Sequence, residues 1–403
     1  MKLIAHVDAD SFYVSCERVR SPGLIGKPVC VLGNQGAIVI ARSYEAKKTG
    51  VKVGTPVWEA KKMYPDMVFV KRDFRWYSVL SEAMQDVLHK FSDTIEYYSV
   101  DESFVDLGDY NGDVHNLAAE IQNAVKQNTG LPVSVGISLT KTLAKIASDK
   151  NKPLGICVVL RDDLSLFLAD TLVSEVSGIG VNLEKRLTPI GIVTARDFVQ
   201  KDRIFIKKIL NKPGEVLWYE LKGNFVLPVR NERPRRKGVS RGGSLFGAKS
   251  EKNIVFAFMV RNIEKLCDAL LKQKLEIKNL VLFLVTDSGF FLKGEGILLD
   301  FTNSFSVILE EFKAIFYRVF SGFYKYKGLH VMGFNIRDFS PKQLSIFDFS
   351  GEKGRKMDKI RESVLKKHGL FAVRSANTAY INDVFRDDAS NFEISDMDKK
   401  FCF

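Results

Sequence analysis

Hydrophobic positions near the N-terminus form a short, nearly continuous run of strand type and then take the longer spacing of helices. Lys2-Leu-Ile-Ala-His-Val7 is a short, mostly apolar run that delivers Asp8 and Asp10 at its end, and Phe12–Val19 reads as the start of a helix. Gly26–Leu32 and Ala37–Ala41 read as a strand pair around the turn residues Gly33-Asn-Gln-Gly36. Tyr44–Lys48 begins a short helix closed by Gly50, and Thr55–Tyr64 forms a second, ended by Pro65. Trp76–Phe91 and His115–Thr129 are helical, the latter ended by Gly130. Between them, two β-prone runs in Thr94–Gly108 meet at Asp101-Glu102. Leu131–Ile137 reads as a strand and Lys141–Lys150 as a helix ended before Pro153. Helices against a mostly antiparallel sheet predict an α+β unit.

Further on, Leu164–Leu168 and Thr171–Val173 lead into Val176-Ser-Gly-Ile-Gly-Val181, a helix over Asn182–Leu187, and Gly191–Phe198. Glycines such as Gly178 and Gly180 let a backbone approach phosphate closely, as in a helix-hairpin-helix. Residues 229–240 are basic and interrupted by proline, and predict a linker that packs no core and lies near DNA. Gly242–Phe246, Asn253–Lys272, Asn279–Thr286, Gly294–Leu299, Phe305–Phe320 and Leu329–Asn335 then give the order βαββαβ, a split βαβ layout with both helices on one face of a sheet. Lys353–His368 reads as a basic helix and residues 383–403 as a polar tail.

With 403 residues the chain holds two or more compact units. Its net charge of +12 suits a polyanionic partner without identifying one. The five cysteines show no metal or disulfide spacing and read as reduced thiols. No apolar run is long enough to cross a membrane, and no leader pattern opens the chain, so a cytoplasmic protein is expected.

Candidate chemistry centres on the acids. Neighbouring side chains on a regular strand point to opposite faces, so Asp101 and Glu102 converge only where the backbone turns. If the first strand lies beside that hairpin, Asp8 joins them. Three carboxylates in one site repel unless cations neutralise them, which implies Mg²⁺, a hard ion that takes oxygen ligands. Two such ions are the usual arrangement for phosphoryl transfer in polymerases and nucleases.

Four segments together are highly specific: His6-Val-Asp-Ala-Asp-Ser-Phe-Tyr13, Ala41-Arg-Ser-Tyr-Glu-Ala-Lys-Lys-Thr-Gly-Val51, Tyr98-Ser-Val-Asp-Glu-Ser103 and Leu143-Ala-Lys-Ile-Ala-Ser-Asp-Lys-Asn-Lys-Pro-Leu-Gly155. In order and spacing they resemble the motifs of Y-family translesion DNA polymerases, and the resemblance continues to about residue 349. Ser240-Arg-Gly-Gly-Ser-Leu-Phe-Gly247 and Gln343-Leu-Ser-Ile-Phe-Asp348 look more like the bacterial UmuC-type branch than the DinB type.

The resemblance implies a right-hand polymerase: palm over residues 1–9 and 72–165, fingers over 10–71, thumb with helix-hairpin-helix over 166–228, linker over 229–240, little finger over 241–338, and a C-terminal tail over 339–403. It implies that Asp8, Asp101 and Glu102 hold two Mg²⁺, with Asp10 left out of the ligand set. Tyr44, Lys47 and Lys152 match triphosphate contacts, although the family often carries arginine where this chain has Lys47. Tyr13 matches the steric gate against a 2′-hydroxyl. Gly178, Gly180, Arg235, Arg236, Lys237 and Arg241 are the expected DNA contacts. Gln343, Leu344, Ile346 and Phe347 resemble the peptide that docks on a bacterial sliding clamp. Partners implied are primer-template DNA, a deoxynucleoside triphosphate and the clamp, with a UmuD-type subunit and a recombinase filament in UmuC-type relatives. The activity implied is error-prone translesion synthesis in SOS mutagenesis. Two other readings stand beside it: a two-metal nuclease, which would use the same acids but has no use for triphosphate contacts, and an inactive DNA-binding scaffold, like relatives that lack the acids, against which the presence of all three argues.

Overall fold

The computed structural model describes residues 2–33, 38–232, 236–339, 352–369 and 371–385. The chain divides into two compact units, the first running to Arg233 and the second from Pro234 to Phe392.

The first unit opens with β1 (Lys2–Ala9) and α1 (Phe12–Arg20). A small insertion follows: β2 (Val29–Leu32), β3 (Val39–Arg42), α2 (Tyr44–Lys48), α3 (Val57–Met63) and β4 (Val68–Lys71). Its strands form a sheet in the order β3-β2-β4, with β4 parallel to β2. The chain continues through α4 (Phe74–Leu88), β5 (Ile95–Tyr97), β6 (Glu102–Asp109), α5 (Val114–Thr129), β7 (Val133–Ser138), α6 (Lys141–Lys150) and β8 (Ile156–Val159). Among the described residues the main sheet has the order β5-β6-β1-β7-β8, antiparallel except for β7 with β8. β1 is its centre, buried from Leu3 onward and apolar there except for His6 and Asp8. As expected, β1 lies beside the acidic hairpin, and the register sets Asp8 opposite Glu102.

The helix α6 lies close on this sheet because Gly136 of β7 has no side chain. A Cβ there would stand 2.2 Å from Ala144 O and 2.3 Å from Ser148 N. The remaining helices, α7 (Leu164–Ala169), α8 (Val181–Leu187), α9 (Ala195–Gln200) and α10 (Arg203–Leu221), enclose a core that includes Leu187, Phe198 and Ile206. α10 is broken at Asn211, whose φ of 59° and ψ of −157° are non-helical, just before Pro213.

The expected linker needs correction at both ends. Val229 is buried against Ile4, Phe104 and Ala144. Arg230 N–H donates to Glu96 Oε2 at 3.1 Å, and Asn231 Oδ1 accepts from Ile95 N at 2.7 Å. An apolar side chain and a carboxamide that satisfies an edge strand thus fix the start of a segment whose charge suggested a free tether. Its last residues, from Gly238, belong to a strand.

That strand, β9 (Gly238–Lys249), opens the second unit, followed by α11 (Lys252–Lys272), β10 (Leu275–Thr286), β11 (Phe291–Thr302), α12 (Phe305–Val319), β12 (Tyr326–Asp338) and α13 (Glu352–His368). The antiparallel order β11-β10-β12-β9 places β12 between β9 and β10, and β10 between β11 and β12. Each βαβ pair is therefore split by another strand, as the element order predicts. The tail is more than a tail. Phe371, Thr378 and Ile381 are buried, Ile381 within the core under α11 and α12, and Ser375 N–H donates to Glu264 Oε1 at 2.7 Å.

Since α6 carries groups that face the site, Gly136→Ala should destabilise the first unit by about 1–3 kcal/mol, the usual cost of overpacking. Denaturant unfolding measures it, and an unchanged midpoint would refute the close approach.

Candidate active site

The site is built where β1 ends beside the turn of the β5-β6 hairpin. Tyr98 N–H and Ser99 N–H both donate to Glu102 O, at 3.0 and 3.1 Å, which closes the turn that the acidic dipeptide requires. Ala9 N–H donates to Asp101 O at 2.9 Å and ties the turn to β1. Asp8, 6 % exposed, reaches across the pair to Glu102. Burial pushes the Asp8 carboxyl up to about 8 against the pull of Lys152, and a hydrogen bond with Glu102 adds to the rise. The Asp101 carboxyl is also raised, mainly by burial, while its Oδ1 accepts from Ser99 Oγ. Both carboxyls are thus costly to keep ionised at this depth, and a bound cation would offset that cost.

Ligand atoms of His6, Asp8 and Glu102 lie within 4.8 Å of one another, the one such group among the described residues; Asp101 falls outside it. Sequence reasoning missed His6. Its signal was the i, i+2 spacing that puts it on the same face of the strand as Asp8. The Ser148 hydroxyl donates to Lys145 O at 2.8 Å, so it accepts from His6 Nδ1 at 2.7 Å, leaving Nε2 buried without a partner. Burial and the lysines of α6 hold this imidazole well below its usual value. The carboxylate oxygens suit Mg²⁺, whereas an imidazole nitrogen is a softer donor than that ion favours.

Asp10 has a different task. Its carboxylate accepts from Ser134 Oγ at 3.0 and 3.1 Å, from Tyr44 OH at 3.1 Å and from Leu154 N–H at 2.8 Å. These bonds join β1, β7, α2 and the segment after α6. Tyr44 is thereby drawn toward the acids, and burial followed by Asp10 keeps its phenol protonated. Lys47 Nζ lies 3.8 Å from the centroid of the Tyr44 ring, and burial, then Arg42 and Lys152, lower its pKa. Lys152 Nζ bridges Asp8 at 2.7 Å and Asp149 at 2.6 Å. Burial opposes its charge, but those acids outweigh burial and hold it above the usual lysine value. Tyr44, Lys47 and Lys152 therefore gather at one side of Asp8.

Tyr13 stacks on Tyr77 with centroids 4.8 Å apart and planes 19° apart, and it packs near Phe74. Tyr77 OH donates to Glu17 Oε1 at 2.7 Å, which fixes that platform. Phe12 is 3 % exposed and belongs to the core, whereas Tyr13 is only half-buried and feels the charge of Asp101.

The chain matches the impB/mucB/samB family over residues 7–149. It is 34% identical over 281 residues to a DNA polymerase IV of Nitrosopumilus maritimus, covering 66% of this chain and 75% of that protein. The chain belongs to the Y family of DNA polymerases. Similarity to DNA polymerase IV 1 of Bacillus subtilis, 28% over 407 residues, covers 96% of this chain and 98% of that one. A solved Dbh-based Y-family polymerase chimera is 25% identical, covers 83% of this chain and 99% of its own, and superposes with a TM-score of 0.72. As a Y-family member the protein is a translesion, DNA-directed DNA polymerase with a mixed α+β multidomain fold, and the nuclease and scaffold readings fall away.

The expected DNA contacts of this Y-family chain are scattered. Gly178 has a φ of 98° and Gly180 caps α8, accepting from Leu183 and Glu184 N–H at 2.9 and 3.0 Å. Arg236 and Lys237 are exposed, with Arg236 Nη1 donating to Gln273 Oε1 at 2.8 Å. Arg241 is 4 % exposed and donates to Ser240 O. It lies within the unit, not at its surface, because β9 points it to the same side as the core residue Val239. Arg235 and the clamp-like residues Gln343, Leu344, Ile346 and Phe347 lie outside the described residues.

Replacing Asp10 with Ala would strand three donors at once. Asp10→Ala should cost about 1–3 kcal/mol or more, visible as a lower melting temperature. A melting temperature equal to the parent's would show that these donors find other partners.

Proposed function

We propose that the protein extends primers across damaged template by two-metal nucleotidyl transfer at Asp8, Asp101 and Glu102, with Mg²⁺ as the ion. The observation that carries this reading is the pairing of Asp8 with Glu102 across β1 and β6, beside Asp101. Two bound Mg²⁺ would supply activation of the primer 3′-hydroxyl and stabilisation of the pyrophosphate leaving group. Tyr44, Lys47 and Lys152 bind and orient the triphosphate. Lys47 contributes a point charge and not the bidentate fork of an arginine. The palm, fingers and thumb divisions follow the boundaries given above, with the tether shortened to the residues between Asn231 and Gly238 and the little finger begun at Gly238, where β9 starts.

The mutagenic role in the SOS response rests on family membership, as do cytoplasmic residence and use of the sliding clamp through Gln343, Leu344, Ile346 and Phe347. The UmuC-type reading, with its UmuD-type subunit and recombinase filament, rests on Ser240–Gly247 and Gln343–Asp348, whereas the relatives described above carry the name DNA polymerase IV.

Asp101→Ala and Glu102→Ala should each lower primer extension by about 10²–10³ or more while leaving DNA binding nearly intact. Extension near the parent rate by either variant rules out the ligand assignment.

The Tyr13 ring stands on a fixed aromatic platform, where it would pack beneath the sugar of a bound nucleotide. Tyr13→Ala should sharply raise ribonucleotide incorporation and leave deoxynucleotide extension measurable. Matched single-nucleotide insertion decides it, and an unchanged sugar preference in a folded variant places the gate elsewhere.

A further inference from the structure

α6 faces the catalytic strands with a row of lysines. Lys141 and Lys145 stand four residues apart on the helix, and Lys152 follows just beyond its end. Each meets a different acid. Lys141 Nζ lies 2.6 Å from Glu96 Oε1, Lys145 pairs with Glu102 Oε1, and Lys152 Nζ lies 2.7 Å from Asp8 Oδ2. The Lys145 and Glu102 side chains are only 15% and 17% exposed, so water screens the pair weakly. The ammonium also lies 5.4 Å from the centroid of the Tyr98 ring. Tyr98 in turn donates its N–H to Glu102 O, so lysine, ring and carboxylate are fixed to the same turn. The ammonium therefore meets the acid and the ring of one and the same turn.

Lys152 has a use in binding triphosphate, and Lys141 serves an acid outside the ligand set. Lys145 has neither explanation. It sits on the carboxylate oxygen that a metal would need.

We propose that Lys145 is a built-in counter-ion of Glu102, a positioning residue that holds and neutralises this carboxylate while metal is absent and yields Oε1 when a divalent cation binds. The inference rests on the reading of Asp8, Asp101 and Glu102 as metal ligands. Two opposite effects follow. Lys145 stabilises the metal-free fold, because unopposed carboxylates at this depth repel. It also weakens metal binding, because a cation must displace an ammonium already bonded there. An ion pair that is structural only has the first effect and lacks the second.

The test uses the full chain, with free Mn²⁺ followed by electron paramagnetic resonance and thermal unfolding followed with and without Mg²⁺. Lys145→Gln should bind Mn²⁺ about tenfold or more tightly, since a positive charge is removed from beside a dication in a poorly screened site. It should also melt earlier without metal, and Mg²⁺ should restore more stability than in the parent. Lys145→Met, which keeps an unbranched stem without the charge, should behave alike if the glutamine variant does not fold. Lys145→Arg keeps the charge and should keep the parent affinity. Lys141→Gln should leave Mn²⁺ affinity unchanged. Unchanged or weaker Mn²⁺ binding in the neutral Lys145 variants, or equal tightening in Lys141→Gln, overturns the proposal. Glu102→Gln separates the two levels. If it leaves Mn²⁺ binding intact, the ligand reading itself fails and the counter-ion role with it. If it weakens binding and the neutral Lys145 variants do not tighten it, only the counter-ion role is lost.

Discussion

Carboxylates brought together in a buried place repel one another, and this repulsion sets the terms for the rest of the first unit. Asp8 and Glu102 face each other across an antiparallel register, and burial, with Glu102 adding to it, lifts Asp8 far from the usual carboxylate range. A fold can keep such a pair only by surrounding it with positive charge. Here that charge comes from one helix and the residues just past it, matched acid by acid through Lys145 and Lys152. The close seat of α6 on β7 is therefore an electrostatic requirement as much as a packing one. Gly136 meets it by omission: any side chain there would push away the helix that carries the counter-charge.

Asp10 illustrates how position decides the role of an acid. It is two residues from Asp8 on the same segment and is more deeply buried, at 2 % exposure. Yet its carboxylate is filled by Ser134, Tyr44 and a backbone N–H. An acid supplied with neutral donors has little use for a metal, whereas one that meets another acid does. Asp10 thus spends its charge on joining the insertion that carries Tyr44 and Lys47 to the sheet that carries Asp8. The distance between the proposed triphosphate contacts Tyr44 and Lys47 and the proposed metal ligand Asp8 is set through that one carboxylate.

Much of this was legible in the sequence because the relevant signals are local. The short apolar run Lys2–Val7 and the β-prone runs around Asp101-Glu102 marked both strands, and one condition, that they are neighbours, placed Asp8 beside Glu102. The βαββαβ order likewise carried its own topology. The elements that escaped are those whose patterns are short or broken. β4 and β8 are runs of four residues that periodicity cannot distinguish from loop. α10 is interrupted by Asn211 and Pro213, so its two halves never accumulate a helical pattern. Lys145 escaped for another reason: it matters through a partner 43 residues away, and spacing along the chain carries no trace of that.

The two segments that composition described as free show where such reasoning stops. Residues 229–231 look like the start of a tether because charge and proline dominate the stretch as a whole. One valine against Ile4 and one asparagine at the open edge of β5 suffice to fix its beginning. Near the C-terminus, Arg361 and the Ser375 N–H both meet Glu264, which is 1 % exposed on a helix buried on nearly every side. An acid that deep must be answered, and the answering groups lie about a hundred residues further on, beyond the strands of the sheet. A buried charge on α11 thus recruits a chain segment that mean hydropathy would leave in solvent. The boundary of the second unit is set there by the partner that Glu264 needs, and no local average of the later sequence contains that requirement.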